Sequence, residues 1–179
     1  VETELTPIGK IRDESGEPMT ITVPDGSDEP IRAHVWRARV GRNHLLLLDA
    51  NIAANEPEDR ELSGQLYGGD HRTRVRQELL LGVGGVRVLN RLGINPGVYH
   101  LNEGHSAFAT LELSANLVEE RKSIDFWEAR NRISRQCVFT THTPVPAGHD
   151  RFDIDLFEKH LGWLREKLGL SHREFHGLG

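Results

Sequence analysis

Two short segments of the chain carry most of the side chains that could take part in chemistry. In Tyr99–Ser106 a short apolar run is followed by a polar group that includes Asn102 and Glu103, and in Phe139–Asp150 a second run leads to His142. Asn, Glu, His and Thr side chains suit the vicinal hydroxyls of a sugar, because each hydroxyl is both a donor and an acceptor. Turns and helix caps use the same residue types, so a purely structural role is the alternative for either segment alone.

The surrounding pattern predicts the elements that must position these segments. Residues 19–49 alternate apolar and polar side chains around the turn Gly41-Arg42, which predicts a β meander at the start of the chain. From residue 70 onward short strands alternate with helices, which favours an α/β fold with a parallel sheet. Ligands bind at the carboxyl ends of such strands, and the two polar segments follow the predicted strands at 98–101 and 137–140.

Four helices are predicted from apolar residues at helical spacing. Their expected ranges are 71–92, 106–120, 123–136 with Ser123 as the N-cap, and 154–168 as the final helix. Three glycines, Gly82, Gly84 and Gly85, fall inside the first range, and we expect them to allow close packing against another backbone. They do not form a dinucleotide-binding motif, because Arg87 occupies the third glycine position and no strand precedes them.

Several ordered motifs resemble the α-glucan (glycogen or maltodextrin) phosphorylases. The segment His100–Phe108 is similar to the family's HLNEGHxAF motif, and the other similar segments, in the family's order, are Leu66–Asp70, Arg74–Glu78, Gly84–Arg87 and Thr141–Gly148. The resemblance implies a partial Rossmann-like N-terminal domain of a two-Rossmann-domain (GT-B) glycosyltransferase. It also implies reversible phosphorolysis of terminal α-1,4-glucosyl units to glucose 1-phosphate, with pyridoxal phosphate as cofactor.

The resemblance implies roles for six residues. His142 resembles the family's catalytic histidine of the glucosyl subsite, whose side chain reaches the sugar and whose carbonyl faces the developing positive charge. The residues that resemble substrate-binding positions are Asn102, Glu103, His105, Thr143 and Arg74. A mobile gate is expected at residues 64–70.

The chain departs from the better-known members, which carry Asp-Thr at the Glu103-Gly104 position, and resembles the shorter bacterial type. We expect a β-rich segment at 1–50 and an α/β segment at 51–179, both belonging to the N-terminal domain. The chain begins at Val1 and ends at Gly179, so we expect the C-terminal domain that carries the Schiff-base lysine to be absent. The chain alone is therefore expected to be inactive.

Composition limits the partners and the compartment. The formal net charge is −5, which argues against nucleic acid or an anionic membrane as the main partner. The apolar run Leu45–Leu48 is too short to span a bilayer. A single cysteine, Cys137, rules out an internal disulfide and fits a reducing, cytoplasmic compartment. Cys137 has the apolar neighbour Val138 and begins a predicted strand, which favours a buried structural thiol over a nucleophile.

Other functions stay open at this point. A glycoside hydrolase would need two flanking carboxylates, for which Glu103 and Asp150 are the candidates, although Asp150 is expected to begin the next helix. A glycogen synthase-like transferase and a non-catalytic glucan-binding fragment are further alternatives. We expect α-1,4-glucan and phosphate as partners, a homo-oligomer as an open option for the full-length protein, and no metal, because the histidines lack a recognised ligand spacing.

Overall fold

The computed structural model describes residues 8–64, 69–144 and 150–178, and its first part, up to Asp49, is a four-stranded antiparallel sheet. The strands are β1 (Ile8–Lys10), β2 (Thr20–Val23), β3 (Ile31–Val40) and β4 (Asn43–Asp49). β3 pairs with β2 and then β1, and it pairs with β4 from His34 to Val40. The inward side chains of β3 (Ile31, Ala33, Val35) are fully buried, so its apolar alternation sets the buried face. The predicted meander is confirmed.

The second part alternates helices with a small parallel sheet. Its elements are α1 (Pro57–Arg60), α2 (His71–Leu79), α3 (Gly85–Arg91), β5 (Tyr99–Asn102), α4 (Ala109–Glu120), α5 (Phe126–Ile133), β6 (Cys137–Thr140), α6 (Ile154–Lys167) and α7 (His172–His176). β5 and β6 are parallel, as expected for strands joined by a helical crossover, and the fold is mixed α/β. Within the described ranges, none of these helices is long and apolar enough to span a membrane.

A π-helical turn at Leu80–Gly84 joins α2 to α3, so the helix predicted at 71–92 is present but not uniform. A Cβ on Gly82 would lie 2.8 Å from the backbone nitrogen of Ala109, whereas one on Gly85 would meet nothing within 4 Å. Gly84 is packed against side chains instead, with Ile21 Cδ1 3.0 Å from the site of a Cβ. Close packing against another backbone is therefore confirmed for Gly82 and wrong for Gly85.

Three predicted features of the helices are wrong. The N-cap of α5 is Asp125, not Ser123, and its side chain accepts a hydrogen bond from the backbone nitrogen of Glu128 at 2.9 Å. Asp153, not Asp150, caps α6. In both cases an Asp one residue before the helix outcompetes the position chosen from sequence. α6 is also not the final helix, because α7 follows it after the turn at Gly169.

The short apolar run at 137–140 predicts a buried strand, and this prediction is wrong for β6. Val138 and Phe139 are 51% and 54% exposed, because among the described residues β6 pairs only with β5. Cys137 at its start is partly buried, and burial raises the pKa of its thiol, which agrees with a structural role.

A buried ion cluster joins the antiparallel sheet to the helices. The Arg76 Nε lies 2.7 Å from Asp25 Oδ2, with side chains 3% and 1% exposed, and Arg76 Nη2 also donates to Asp59. The His160 Nδ1 donates to the Asp25 carbonyl at 2.8 Å. Gly26 follows with φ 74°, and a Cβ there would lie 1.7 Å from the Lys159 carbonyl, so only glycine allows this approach to α6.

The paired glycines give a matched test of packing. Gly82→Ala should lower the free energy of unfolding by about 1–3 kcal/mol, because its methyl group would force α2–α3 away from the start of α4. Gly85→Ala should be neutral or stabilising by up to about 1 kcal/mol, because alanine favours a helix and meets no neighbour. Urea unfolding of both variants measures the difference, and equal effects would contradict the packing argument.

Candidate functional site

The two polar segments meet at the carboxyl ends of β5 and β6. Asn102 pairs with Thr140 at the end of the ladder, and the Glu103 backbone nitrogen extends the pairing by donating to the Thr140 carbonyl at 2.9 Å. The parallel register therefore places Asn102 and Glu103 beside the chain that continues to His142 and Thr143. Residues 145–149 of the second segment lie outside the described residues.

The Glu103 carboxylate organises this junction. Its Oε1 accepts hydrogen bonds from the backbone nitrogens of His142 at 2.8 Å and Thr143 at 2.9 Å. Glu103 is buried, and its φ of 57° with ψ −170° is a strained conformation for a residue with a side chain. The backbone N–H group of His142 contributes most to lowering the pKa of Glu103, to about 2, so the side chain is a carboxylate at neutral pH.

The His142 side chain is held by Asn102 and is open to solvent. Its Nε2 lies 2.9 Å from Asn102 Oδ1, and because Oδ1 only accepts, Nε2 carries the hydrogen. The other ring nitrogen, Nδ1, lies 3.5 Å from Glu103 Oε1, and the side chain is 58% exposed. The exposed imidazole can therefore contact a ligand while Asn102 fixes its orientation.

Arg74 and His105 belong to a second cluster, together with two acids. Arg74 Nη2 lies 2.5 Å from Asp150 Oδ2, 3.4 Å from His105 Nδ1 and 3.8 Å from Glu78 Oε1. Glu78, His105 and Asp150 have potential metal-ligand atoms within 4.8 Å of one another. The Arg74 guanidinium already neutralises Asp150, so this arrangement favours an ion-pair network over a bound cation.

The pKa values of Glu78 and Asp150 are shifted in opposite directions. Burial, reinforced by the neighbouring Asp150 carboxylate, raises the pKa of Glu78 to about 8. Burial acts the same way on Asp150, but hydrogen bonds from Arg74 and Glu78 outweigh it and hold its pKa below the usual range. The pair is therefore a neutral acid beside a carboxylate at neutral pH, and it titrates as a unit.

The structure brings the sequence-predicted residues into two groups, with His142, Thr143, Asn102 and Glu103 in one and Arg74 and His105 in the other. Sequence reasoning missed Glu78, although it lies one helical turn after Arg74, at the i,i+4 spacing of an ion pair. It also assigned Asp150 to a helix start. Both acids proposed for a glycoside hydrolase contact other protein groups, since Glu103 accepts from the loop backbone and Asp150 pairs with Arg74.

The predicted gate at 64–70 falls largely outside the described residues, which omit 65–68. At its end Gly69 has φ 87°, and the Asp70 side chain caps α2 by accepting from the Thr73 backbone nitrogen at 2.8 Å. The gate itself stays a prediction.

The raised pKa of Glu78 predicts a pH-dependent stability. With a folded-state pKa of about 8, above the usual 4.5, Glu78 destabilises the fold progressively as the pH rises from 4.5 through 8. Glutamine does not titrate, so the free energy of unfolding of Glu78→Gln should rise relative to that of the wild type when the pH is raised from 5.5 to 9. The expected relative gain is on the order of a few kcal/mol. Urea unfolding at the two pH values measures this gain. Glu128→Gln, at an exposed position of α5, should show none, and an equal gain in both variants would exclude Glu78 as the cause.

Comparison with known proteins identifies relatives across nearly the whole chain. No protein-family model matches it. The chain is 44% identical over 176 residues to a maltodextrin phosphorylase of Thermococcus litoralis, covering 98% of this chain and 21% of that protein. It is 40% identical over 160 residues to a glycogen phosphorylase of Mycobacterium tuberculosis, covering 87% and 18%. A glycogen phosphorylase of Aquifex aeolicus is 32% identical over 178 residues, covering 99% and 25%.

The chain thus spans between about a fifth and a quarter of the length of these curated relatives. The resemblance read from its motifs is confirmed: this chain is a homologue of one segment of the glycogen and maltodextrin phosphorylases.

Proposed function

We propose that this chain is part of a glucan phosphorylase, which transfers terminal α-1,4-glucosyl units of glycogen or maltodextrin to inorganic phosphate and releases glucose 1-phosphate. The observation that carries the proposal is the junction of Asn102, Glu103, His142 and Thr143 in a chain 44% identical to a maltodextrin phosphorylase. The proposal extends to the intact protein, of which this chain supplies part of the N-terminal glycosyltransferase domain with the GT-B architecture.

The residues at the junction suit a neutral sugar. The exposed His142 ring and the Asn102 amide offer donors and acceptors of the kind that vicinal hydroxyls pair with. Glu103 acts behind them as a positioning residue, because its carboxylate is bound to the backbone of His142 and Thr143. The backbone nitrogen of Thr143 donates to Glu103, and Arg74 of α2 lies beside His105, which follows Glu103 before α4.

Pyridoxal phosphate, which the resemblance implies, does not fit the residues present. A Schiff base needs a lysine, and the four lysines of the chain are Lys10, Lys122, Lys159 and Lys167. Lys10 lies over the Trp36 ring and Lys167 pairs with Glu119, while Lys122 and Lys159 lie in the α4–α5 connection and in α6. We therefore assign the cofactor to a part of the protein outside this chain.

The proposal has further parts. We expect a β-rich segment (1–50) and an α/β segment (51–179), and we expect this chain to be inactive on its own. We also expect the intact protein to be cytoplasmic, with a homo-oligomer as an open option.

The proposal predicts phosphate-dependent release of glucose 1-phosphate. The intact protein should form it from maltoheptaose and inorganic phosphate, and an enzyme-coupled assay for glucose 1-phosphate detects it. Release of free sugar without phosphate would instead indicate a glycoside hydrolase, and elongation with ADP-glucose would indicate a glycogen synthase-like transferase. Binding of maltoheptaose without either reaction would leave a non-catalytic glucan-binding protein.

The position of Glu103 predicts a distinct effect on turnover. Glu103→Gln keeps the acceptor oxygen but loses the charge, so the N–H groups of His142 and Thr143 lose a charge-assisted partner. We expect kcat to fall by about tenfold with a smaller change in KM, and the melting temperature at neutral pH to fall, because the low pKa of Glu103 makes its carboxylate stabilising. Glu128→Gln, on the exposed face of α5, should leave all three unchanged. A Glu103→Gln variant with wild-type kcat would show that the carboxylate does not position His142.

A further inference from the structure

Two histidines and a glutamate converge where α7 packs on α6. The Glu158 carboxylate of α6 lies 3.3 Å from His172 Nδ1 through Oε1 and 3.0 Å from His176 Nε2 through Oε2. The histidines are four residues apart, so they share one face of α7, and their ring centroids are 5.8 Å apart. The three potential ligand atoms all lie within 4.8 Å of one another.

We propose that Glu158, His172 and His176 form a binding site for a divalent transition-metal ion of the zinc type. Two imidazole nitrogens and one carboxylate oxygen are a known zinc ligand set, in which the fourth position holds water. Zinc bonds of about 2.0–2.2 Å in a tetrahedral site place neighbouring ligand atoms roughly 3.3–3.5 Å apart. The 3.3 Å between His172 Nδ1 and Glu158 Oε1 falls in this range, and the 3.0 Å between His176 Nε2 and Glu158 Oε2 is slightly shorter. The site is independent of the proposed phosphorylase function.

The framework of α7 holds the two histidines in place. Ser171 and Glu174 form a capping box at its start, so the first turn is fixed although the helix is short. Phe175 is buried and packs against Phe157 of α6, with ring centroids 5.2 Å apart. Phe175 is three residues after His172 and one before His176, so the face of α7 that packs on α6 adjoins the two histidines and holds them beside Glu158.

Gly162 leaves room for the glutamate. It lies in the middle of α6, where glycine is unfavourable by up to about 1 kcal/mol relative to alanine. A Cβ at Gly162 would lie 3.1 Å from Glu158 Oε1, closer than ordinary packing, so an alanine would press on the carboxylate. The glycine therefore allows Glu158 to lie along the helix toward α7.

Arg165 is the competing cation. Its Nε donates to Glu158 Oε1 at 2.6 Å, whereas Oε2 faces His176. Burial would raise the pKa of Glu158, but hydrogen bonds from Arg165 and His176 outweigh it, so the pKa is lowered and the group is a carboxylate at neutral pH. Arg165 thus keeps the ligand charged and shares Oε1 with His172, which leaves Oε2 directed at His176, while its own charge opposes a second cation.

The test is zinc binding by the intact protein, purified without a histidine tag and titrated with zinc chloride by isothermal calorimetry. We expect one zinc ion per chain to bind at a site that His172→Ala and His176→Ala each weaken by about tenfold or more, because even changes around a ligand cost about 10–100-fold. His44→Ala, which removes an exposed histidine of β4, should bind as the wild type does. His172 is 65% exposed, so its replacement should leave the fold intact.

A second readout is thermal unfolding with and without zinc. Zinc at about 100 times its dissociation constant should raise the melting temperature of the wild type and of His44→Ala, and should raise that of His172→Ala by less. The proposal is overturned if the wild type binds no zinc. It is equally overturned if both α7 variants bind zinc as tightly as the wild type does.

Discussion

The buried guanidinium of Arg76 is the interaction on which the arrangement of the chain depends. It is held by Asp25, in the turn between β2 and β3, and by Asp59 of α1, so one cation joins three separate parts of the sequence. The Asp25 carbonyl also accepts a hydrogen bond from His160, which connects α6 to the same buried cluster. Removing one member of such a buried network costs about 3–5 kcal/mol, because it leaves an uncompensated charge. The first sheet is consequently fixed to α2 by charge as well as by apolar packing.

Fixing α2 in this way also sets the second cluster of the site. Arg74 and Arg76 are two residues apart, so they point to different sides of the helix. While Arg76 is inserted between Asp25 and Asp59, Arg74 faces His105 and Asp150. The position of Arg74 therefore follows from the burial of Arg76. Glu78, on the next turn, is drawn into the same low-dielectric environment, which is why its carboxyl is protonated at neutral pH.

Sequence patterns correctly predicted the features of the fold that depend on residues close together in the chain. The alternation of Ile31, Ala33 and Val35 was sufficient for β3, and the polar residues after two apolar runs were sufficient to locate the junction of Glu103 and His142.

The errors concern competition and distant partners. Ser123 and Asp125 both fit an N-cap, and only the observed backbone selects Asp125. The contact of Asp150 with Arg74 and Glu78 joins residues far apart in sequence, so no periodicity indicates it. The exposure of β6 depends on which strands flank it, which its own residues do not specify.

Glu103 shows why a strained residue suits the junction. A glycine at this position would adopt φ 57° without strain, but it would offer no acceptor to the N–H groups of His142 and Thr143. With glutamate the backbone conformation is unfavourable, but two charge-assisted hydrogen bonds to the carboxylate offset this strain. The backbone of Glu103 continues β5 and its side chain holds the segment after β6. Any displacement of one strand end must therefore move the other, and His142 keeps its distance from Asn102 only while both stay in register.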